Sequence, residues 1–326
     1  MFGFSKIILP IGSKNKTGTE GIRVSLHDLL AEQKNAPEVF ASSRKMRSTA
    51  AGNAHSPFKG RGMEFDEVRE YHAGDDLRSL DWKVTARLGE PFTKLFHEER
   101  ERPFFILLDM RSQMRFGTKK AFKSVIAAKV TSLIMWAAKN SGDKVGGLLL
   151  SDNRDVLMKP AKQRKNMISF LQSVADASAS PSGVESKNTL SGALSELKRV
   201  AHLGGVVFVI SDFHDFNAET QKQLSLLTSH NDLVCVFIED RLEENPPPAG
   251  IYRINDGGSS SMNINAADKK WAENYKKIFA KRRDAVKSFC NKTGSFFIVI
   301  HTDDDYVSLL REGIHKKRRK GYATAL

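Results

Sequence analysis

The sequence predicts an α/β protein built on a doubly wound, mostly parallel sheet, and three observations predict it. From Phe104 onward, short apolar runs alternate with segments of helical periodicity, the order a parallel sheet imposes because each strand must return through a crossover. The runs at Phe104 to Leu108 and Val206 to Ile210 are apolar without alternation, as strands covered on both faces are. Nothing in the chain repeats at a fixed period.

Taken in order, residues 1 to 21 hold Gly, Ser, Lys and Thr with little periodicity and are expected to be mobile. Val24, Leu26, Leu29 and Leu30, with Ser25 as a cap, predict a short helix. The polar stretch that follows reads as a connector, so residues 22 to 103 group as helix, connector and a charged β-rich segment, with residues 104 to 326 as the α/β domain. Phe122 to Ala137 recur at helical spacing, Val145 to Leu150 gives a second strand and Val156 to Met158 a short neighbour. Met167 to Val174 and Leu190 to Val200 predict two more helices, separated by the loop DASASPSGVESK. Leu233 to Ile238 is a further strand. Residues near 250 to 265 read as an exposed hairpin turning through Asp256, Gly257 and Gly258. A long helix with Trp271, Tyr275, Ile278, Phe279, Val286 and Phe289 on one face leads to a last strand at Phe296 to Ile300 and a closing helix at Val307 to Ile314.

Composition bounds the function. The net charge of +13 in 326 residues is unevenly placed: residues 61 to 100 hold 7 Lys/Arg against 10 Asp/Glu, while both flanks are basic. The densest basic run, HKKRRK at His315 to Lys320, lacks interleaved aromatics and reads as a solvated helix end, so nucleic acid is not the expected partner. An acidic protein surface suits the charge at least as well. No apolar stretch is long enough to span a membrane, and no Gly-rich phosphate loop follows the first strand. Cys235 and Cys290 read as small buried hydrophobes, and with them a cytoplasmic location is expected.

The densest information lies at Gly60 to Trp82, GRGMEFDEVREYHAGDDLRSLDW, continuing through Thr85, Ala86 and Arg87 to FTKLFHEERERP and then to the strand FFILLD. That order resembles the bacterial domain-of-unknown-function family 58. The resemblance implies a von Willebrand factor A-like α/β domain with an N-terminal charged β-rich elaboration, and Glu64, Arg69, Tyr71, Gly74, Asp75, Asp76, Arg78, Asp81, Trp82 and Arg87 as the family-defining surface. Carboxylates at this density could hold a hard cation for a metal-dependent hydrolase. An arginine stands close to each, however, and a mutually neutralising network is the expectation, with a turn at Gly74 to Asp76 and Trp82 packing the segment down. His72 is read as an ordinary hydrogen-bonded surface residue.

The resemblance also implies a metal ion-dependent adhesion site at the carboxyl edge of the sheet, with ligands from an Asp-x-Ser-x-Ser run, a threonine and a later aspartate. Here the run is Asp109, Met110, Arg111, Ser112, Gln113, and Asn188 stands at the threonine position with Thr189 one step late. Only Asp109 and Asp212 match. A guanidinium has no lone pair, so Arg111 cannot ligate a cation, and its charge is expected to replace the metal between Asp109 and Asp212. The site therefore reads as degenerate and metal-free, with magnesium at displaced oxygens of Ser112, Gln113, Asn188 and Thr189 as the weaker alternative. Ser211, Asp212 and His214 are too close in sequence to read as a catalytic triad. The expected function is a non-enzymatic protein-interaction module without cofactor. The resemblance implies a MoxR-type AAA+ ATPase as its partner in assembling or activating client complexes, met at Asp109 to Gln113, Asn188 and Asp212 to Asp215. A metal-dependent hydrolase and an adhesion module with variant ligands stand as alternatives.

Overall fold

The structure, a computed structural model, describes residues 21–39, 63–72, 75–98, 103–179, 188–201, 204–255 and 261–320. Residues 21–39 and 103–320 belong to one compact unit and residues 63–98 to a second.

The smaller unit is an antiparallel pair, β1 (Met63–Glu70) and β2 (Phe92–Glu98), with a register shift between Phe65 and Glu67. Between the strands the chain makes one 3-10 turn, Leu77–Ser79, and the helix Trp82–Leu88, which ends at Gly89 in the left-handed conformation that a glycine adopts without a Cβ penalty.

The larger unit holds β3 (Phe104–Asp109), β4 (Val145–Leu150), β5 (Val156–Ala161), β6 (Val206–Ser211) and β7 (Asp232–Glu239), then the hairpin β8 (Ile251–Asn255) with β9 (Ser261–Asn265), and finally β10 (Phe296–His301). Six of these form one sheet in the order β10, β7, β6, β3, β4, β5, parallel except for β5. β8 and β9 pair antiparallel, as expected of the hairpin, while its turn at residues 256–260 lies outside the described residues.

Alternate residues of each central strand feed two separate cores. Ile106, Leu108, Phe208, Ile210, Val234 and Val236 face the helices Lys123–Asn140 and Arg164–Ala179. Phe105, Leu107, Val207, Val209, Cys235 and Phe237 face Leu190–Val200, Ala218–Thr228 and Lys269–Thr293. Each such side chain contributes about 1.5–3 kcal/mol by leaving water, which is why β3 and β6 carry no polar residue before their last positions and β7 none between its exposed first residue, Asp232, and its last. Gly147 lets Arg164–Ala179 approach β4, since a Cβ there would stand 2.8 Å from the Phe170 ring.

Four expectations change. The N-terminal helix, Leu26–Ala31, belongs to the α/β unit and not to the charged segment: Ser132 donates to the Leu29 carbonyl, Val24 N–H to Ser178 Oγ, and the Tyr306 hydroxyl to Glu32. The connector after it, residues 40–62, lies outside the described residues, as do residues 1–20. The strand expected at Val156 to Met158 runs on to Ala161 through Pro160, which an edge strand tolerates because it need not donate on its open side. Of the face expected of Lys269–Thr293, Tyr275, Val286 and Phe289 are buried as expected, but Ile278 is exposed and Cys290 joins the buried set. The helix Ala218–Thr228 buries only Thr220, Leu224 and Leu227, too few for its period to be read.

Candidate functional site

Parallel strands present the loops after their carboxyl ends along one edge, where a doubly wound sheet binds ligands. β3 ends in Asp109, which is fully buried, and the chain reverses at once into the 3-10 turn Ser112–Met114. That reversal folds the Arg111 side chain back over the strand end, leaving it 4% exposed. Its Nε donates to Asp109 Oδ1 at 3.0 Å and its Nη2 to Asp109 Oδ2 at 2.7 Å. On its far side Nη1 and Nη2 donate to the two Asp215 oxygens at 3.0 and 2.9 Å, and Nη1 reaches the Asn188 carbonyl at 3.2 Å. With its amide oxygen turned inward, Gln113 accepts from Arg111 Nε and Nη2, both at 3.2 Å. Ser211 closes the shell by donating to Asp109 Oδ2 at 2.8 Å. Burial alone would lower the Arg111 pKa, but the Asp109 and Asp215 carboxylates outweigh it and hold the guanidinium above its usual value.

Arg111 thus takes the inward place expected of it, with one correction: its second carboxylate is Asp215, not Asp212. Between the two aspartates lies Phe213, with φ of 51°, a left-handed conformation that costs a non-glycine residue about 1–3 kcal/mol. Its ring, stacked on Phe237 at 5.8 Å, and its N–H, bonded to Ser211 Oγ, hold that turn. Asp212 points the other way, to Lys123 at 2.7 Å, and Lys123 also meets Glu243 at 2.7 Å. Burial opposes ionisation of Asp212, yet Lys123 and then Arg282 pull its pKa well below the carboxylate range. Lys123 in turn is raised by Asp212 and Glu243 against its own desolvation. Two buried cations, not one, therefore neutralise this edge. Sequence reasoning missed Lys123 and placed Asp215 on the expected edge without pairing it to Arg111; a lysine opening the largely apolar helix KSVIAAKVTSLIMW was the available signal.

The residues that offered displaced oxygens are each engaged by other partners. Ser112 gives its backbone N–H to Asp152 Oδ1, and the Asn188 amide donates to the Ser151 carbonyl and to Asp155. Thr189 caps the helix Leu190–Val200 by accepting from Gly192 N–H at 3.1 Å. Burial raises the pKa of Asp152 and of Asp155, with hydrogen bonds opposing it. Ser112, Gln113, Asn188 and Asp215 keep part of their surface, and Thr189 and His214 are exposed, so these and not the buried Asp109, Arg111 and Asp212 form the accessible rim.

In the smaller unit the described carboxylates Asp75, Asp76 and Asp81 serve the backbone more than a charge network. Asp75 accepts from Arg69 at 2.7 Å and from His72 N–H, Asp76 caps the 3-10 turn, and Asp81 caps Trp82–Leu88 through Lys83 and Val84 N–H. The ion-pair partner of Asp81 is Lys94, at 3.4 Å, not an arginine. Among the described residues Arg78 and Arg87 form no ion pair, so the expected interleaved network reduces to Arg69–Asp75 and Lys94–Asp81. Trp82 is 71% exposed and does not pack the segment down; at the first position of a short helix its side chain faces water. Tyr71 N–H bonds the Pro91 carbonyl. Gly74 and the side chain of Glu64 lie outside the described residues.

A family model described as "Protein of unknown function DUF58" matches residues 67–285. The chain belongs to this family. It is similar to uncharacterized protein Rv1480 of Mycobacterium tuberculosis H37Rv, 23% identical over 280 residues that cover 86% of this chain and 87% of that one. Among solved structures, BatB from Bacteroides thetaiotaomicron aligns with a TM-score of 0.43 at 13% identity, over 67% of this chain and 99% of that one. An aerotolerance-related membrane protein from Bacteroides fragilis aligns at 0.38 and 14% identity over the same shares. That protein is named as a membrane protein, and the cytoplasmic location expected from the sequence is withdrawn. The two thiols offered for it are fully buried against one another, so their redox state does not report a compartment. Among the described residues no helix is long and apolar enough to cross a membrane.

Proposed function

We propose that this DUF58 protein is a non-enzymatic protein-interaction module with a sheet of von Willebrand A type, a degenerate metal ion-dependent adhesion site, and a MoxR-type AAA+ ATPase as its working partner in assembling or activating client complexes. The observation that carries the reading is Arg111, bonded through two donors to each of Asp109 and Asp215 where the resemblance implies a cation. A single antiparallel strand at the β5 edge of an otherwise parallel six-stranded sheet supports the fold type. The partner rests on the family resemblance of the Gly60 to Trp82 segment. Fixed charges at a sheet edge recognise protein without a bridging ion, and the rim of Ser112, Gln113, Asn188, Thr189 and His214 is where a partner meets this one.

The test is affinity capture of a purified MoxR-type ATPase by the full chain, with and without chelator. Capture is expected to be unaffected by chelator and to fall in Arg111→Glu, which places a third carboxylate beside Asp109 and Asp215. Metal-dependent capture, or capture untouched by Arg111→Glu in a folded variant, overturns the assignment of this edge.

A further inference from the structure

The carboxyl ends of β7 and β10 carry a second constellation. Glu239 and His301 are register partners at the close of the parallel pair, so their side chains leave the sheet side by side. The short helix Arg241–Glu244 brings Glu244 over them. His301 Nε2 lies 3.0 Å from Glu239 Oε1 and 3.5 Å from Glu244 Oε2, and one ligand atom from each of the three residues falls within 4.8 Å of the others.

Asp304 fixes the tautomer of the neutral imidazole. Its Oδ2 accepts from the His301 backbone N–H at 3.1 Å and lies 2.9 Å from Nδ1. An ionised carboxylate only accepts, so Nδ1 carries the hydrogen, and whenever the ring is neutral its lone pair lies at Nε2. That atom is buried and makes no hydrogen bond of acceptable geometry with either carboxylate it faces. Arg283 Nη1 donates to Glu239 Oε1 at 3.0 Å and to Glu244 Oε1 at 3.3 Å, and Arg241 stands 3.6 Å from Glu244 Oε2. The two arginines hold the carboxylates in place and leave Nε2 unserved.

We propose that Glu239, Glu244 and His301 bind a divalent transition-metal ion, zinc by preference. Zinc takes imidazole nitrogen and carboxylate oxygen at about 2.0–2.2 Å, so tetrahedral ligands stand roughly 3.3–3.5 Å apart. The 3.0 and 3.5 Å separations here need only small adjustment. A carboxylate on the far nitrogen of a ligating histidine, the place Asp304 occupies, fixes the ring and raises its basicity. Magnesium prefers an octahedron of oxygens and does not suit this set. Three protein ligands leave a fourth position for water or for a donor from a bound molecule. The competing occupant is a proton: His301 as imidazolium would close the same contacts as an ion-pair network with Glu239 and Arg283.

The experiment separates the two. The full chain, stripped with chelator, is titrated with Zn²⁺ by calorimetry and with Co²⁺ by visible absorption. One equivalent of Zn²⁺ and the intense absorption of tetrahedral Co²⁺ are expected. Affinity falls at least about tenfold in His301→Ala and in Glu244→Gln, and about 10–100-fold in Asp304→Asn, while Glu219→Gln on an exposed helix changes nothing. If His301→Ala does not fold, Glu244→Gln carries the test alone, since that side chain is 33% exposed. Absence of stoichiometric Zn²⁺, or binding indifferent to both His301→Ala and Glu244→Gln, leaves the proton as the occupant and overturns the proposal.

Discussion

Replacing Arg111 by methionine keeps most of the side chain's volume and removes its charge. Asp109, with no exposed surface, would retain only the Ser211 hydroxyl and the backbone N–H of residue 111 as donors, and Asp215 would retain the Leu190 N–H. Removing one partner of a buried ion pair costs about 3–5 kcal/mol, because the other charge stays buried. Two carboxylates are stranded here, but Asp215 keeps 22% of its side-chain surface and is partly solvated, so the expected loss remains within that range. For a unit of this size that lowers the melting temperature by roughly 6–20 °C. The assay is thermal and urea unfolding of both proteins, with and without Mg²⁺. Asp215→Asn in the methionine background should restore part of the loss, since it removes one stranded charge. Arg111→Ser with Gln113→Ser should become more stable when Mg²⁺ is added, since a ligand bound only to the folded state raises its melting temperature. A loss under about 1 kcal/mol would mean that solvent screens these pairs as it does surface ones. A wild-type chain stabilised by Mg²⁺ through Asp109 would show that Arg111 does not replace a cation.

Lys123→Met should destabilise by a similar amount, on the order of 3–5 kcal/mol, and less when combined with Asp212→Asn; additive losses in the denaturant midpoint would refute the coupling. Asp81→Ala should speed amide exchange at Lys83 and Val84 while Asp81→Asn, which keeps a capping oxygen, should not; equal rates in the two variants would show that the cap is not formed in solution. Acid sensitivity follows from Asp212 and Asp215. Lys123 and Arg111 hold their folded pKa values below the unfolded ones despite burial, so the stability they confer is complete above about pH 4 and is lost as pH falls through the folded values. Asp152 and Asp155, raised by burial, work in the opposite sense, and Lys123→Met should flatten the decline in urea midpoint between about pH 4 and about pH 2.

The central strands were legible because burial on both faces demands unbroken apolar runs, and β3, β6 and β7 have them. Ala218–Thr228 was not, because a surface helix anchored at three positions has no dominant period. That Arg111 cannot ligate a cation, and can pair with Asp109 instead, was legible from donor chemistry alone. Which aspartate it meets was not: Asp212 and Asp215 sit three residues apart, and the left-handed turn at Phe213, which no periodicity announces, directs them to different cations. Trp82 shows the opposite failure, since a large apolar residue amid charges was read as an anchor while it stands in water.

The chain leaves the α/β unit after Val39 and re-enters it at Pro103, so the smaller unit interrupts the larger one. On a ribosome the first helix is made long before the surfaces that bury it: Ser132, Ser178 and Tyr306, its hydrogen-bond partners, emerge roughly one hundred to nearly three hundred residues later. At about 5–20 residues per second Leu29 therefore waits roughly 5 to 20 s for Ser132, and Glu32 roughly 14 to 55 s for Tyr306. The interrupting unit, whose strand pairs lie within 36 positions of one another, can form during that interval. Nascent chains stalled before Ser132 should therefore protect the smaller unit from proteolysis while leaving the first helix open to cleavage, an order of assembly opposite to the order of synthesis.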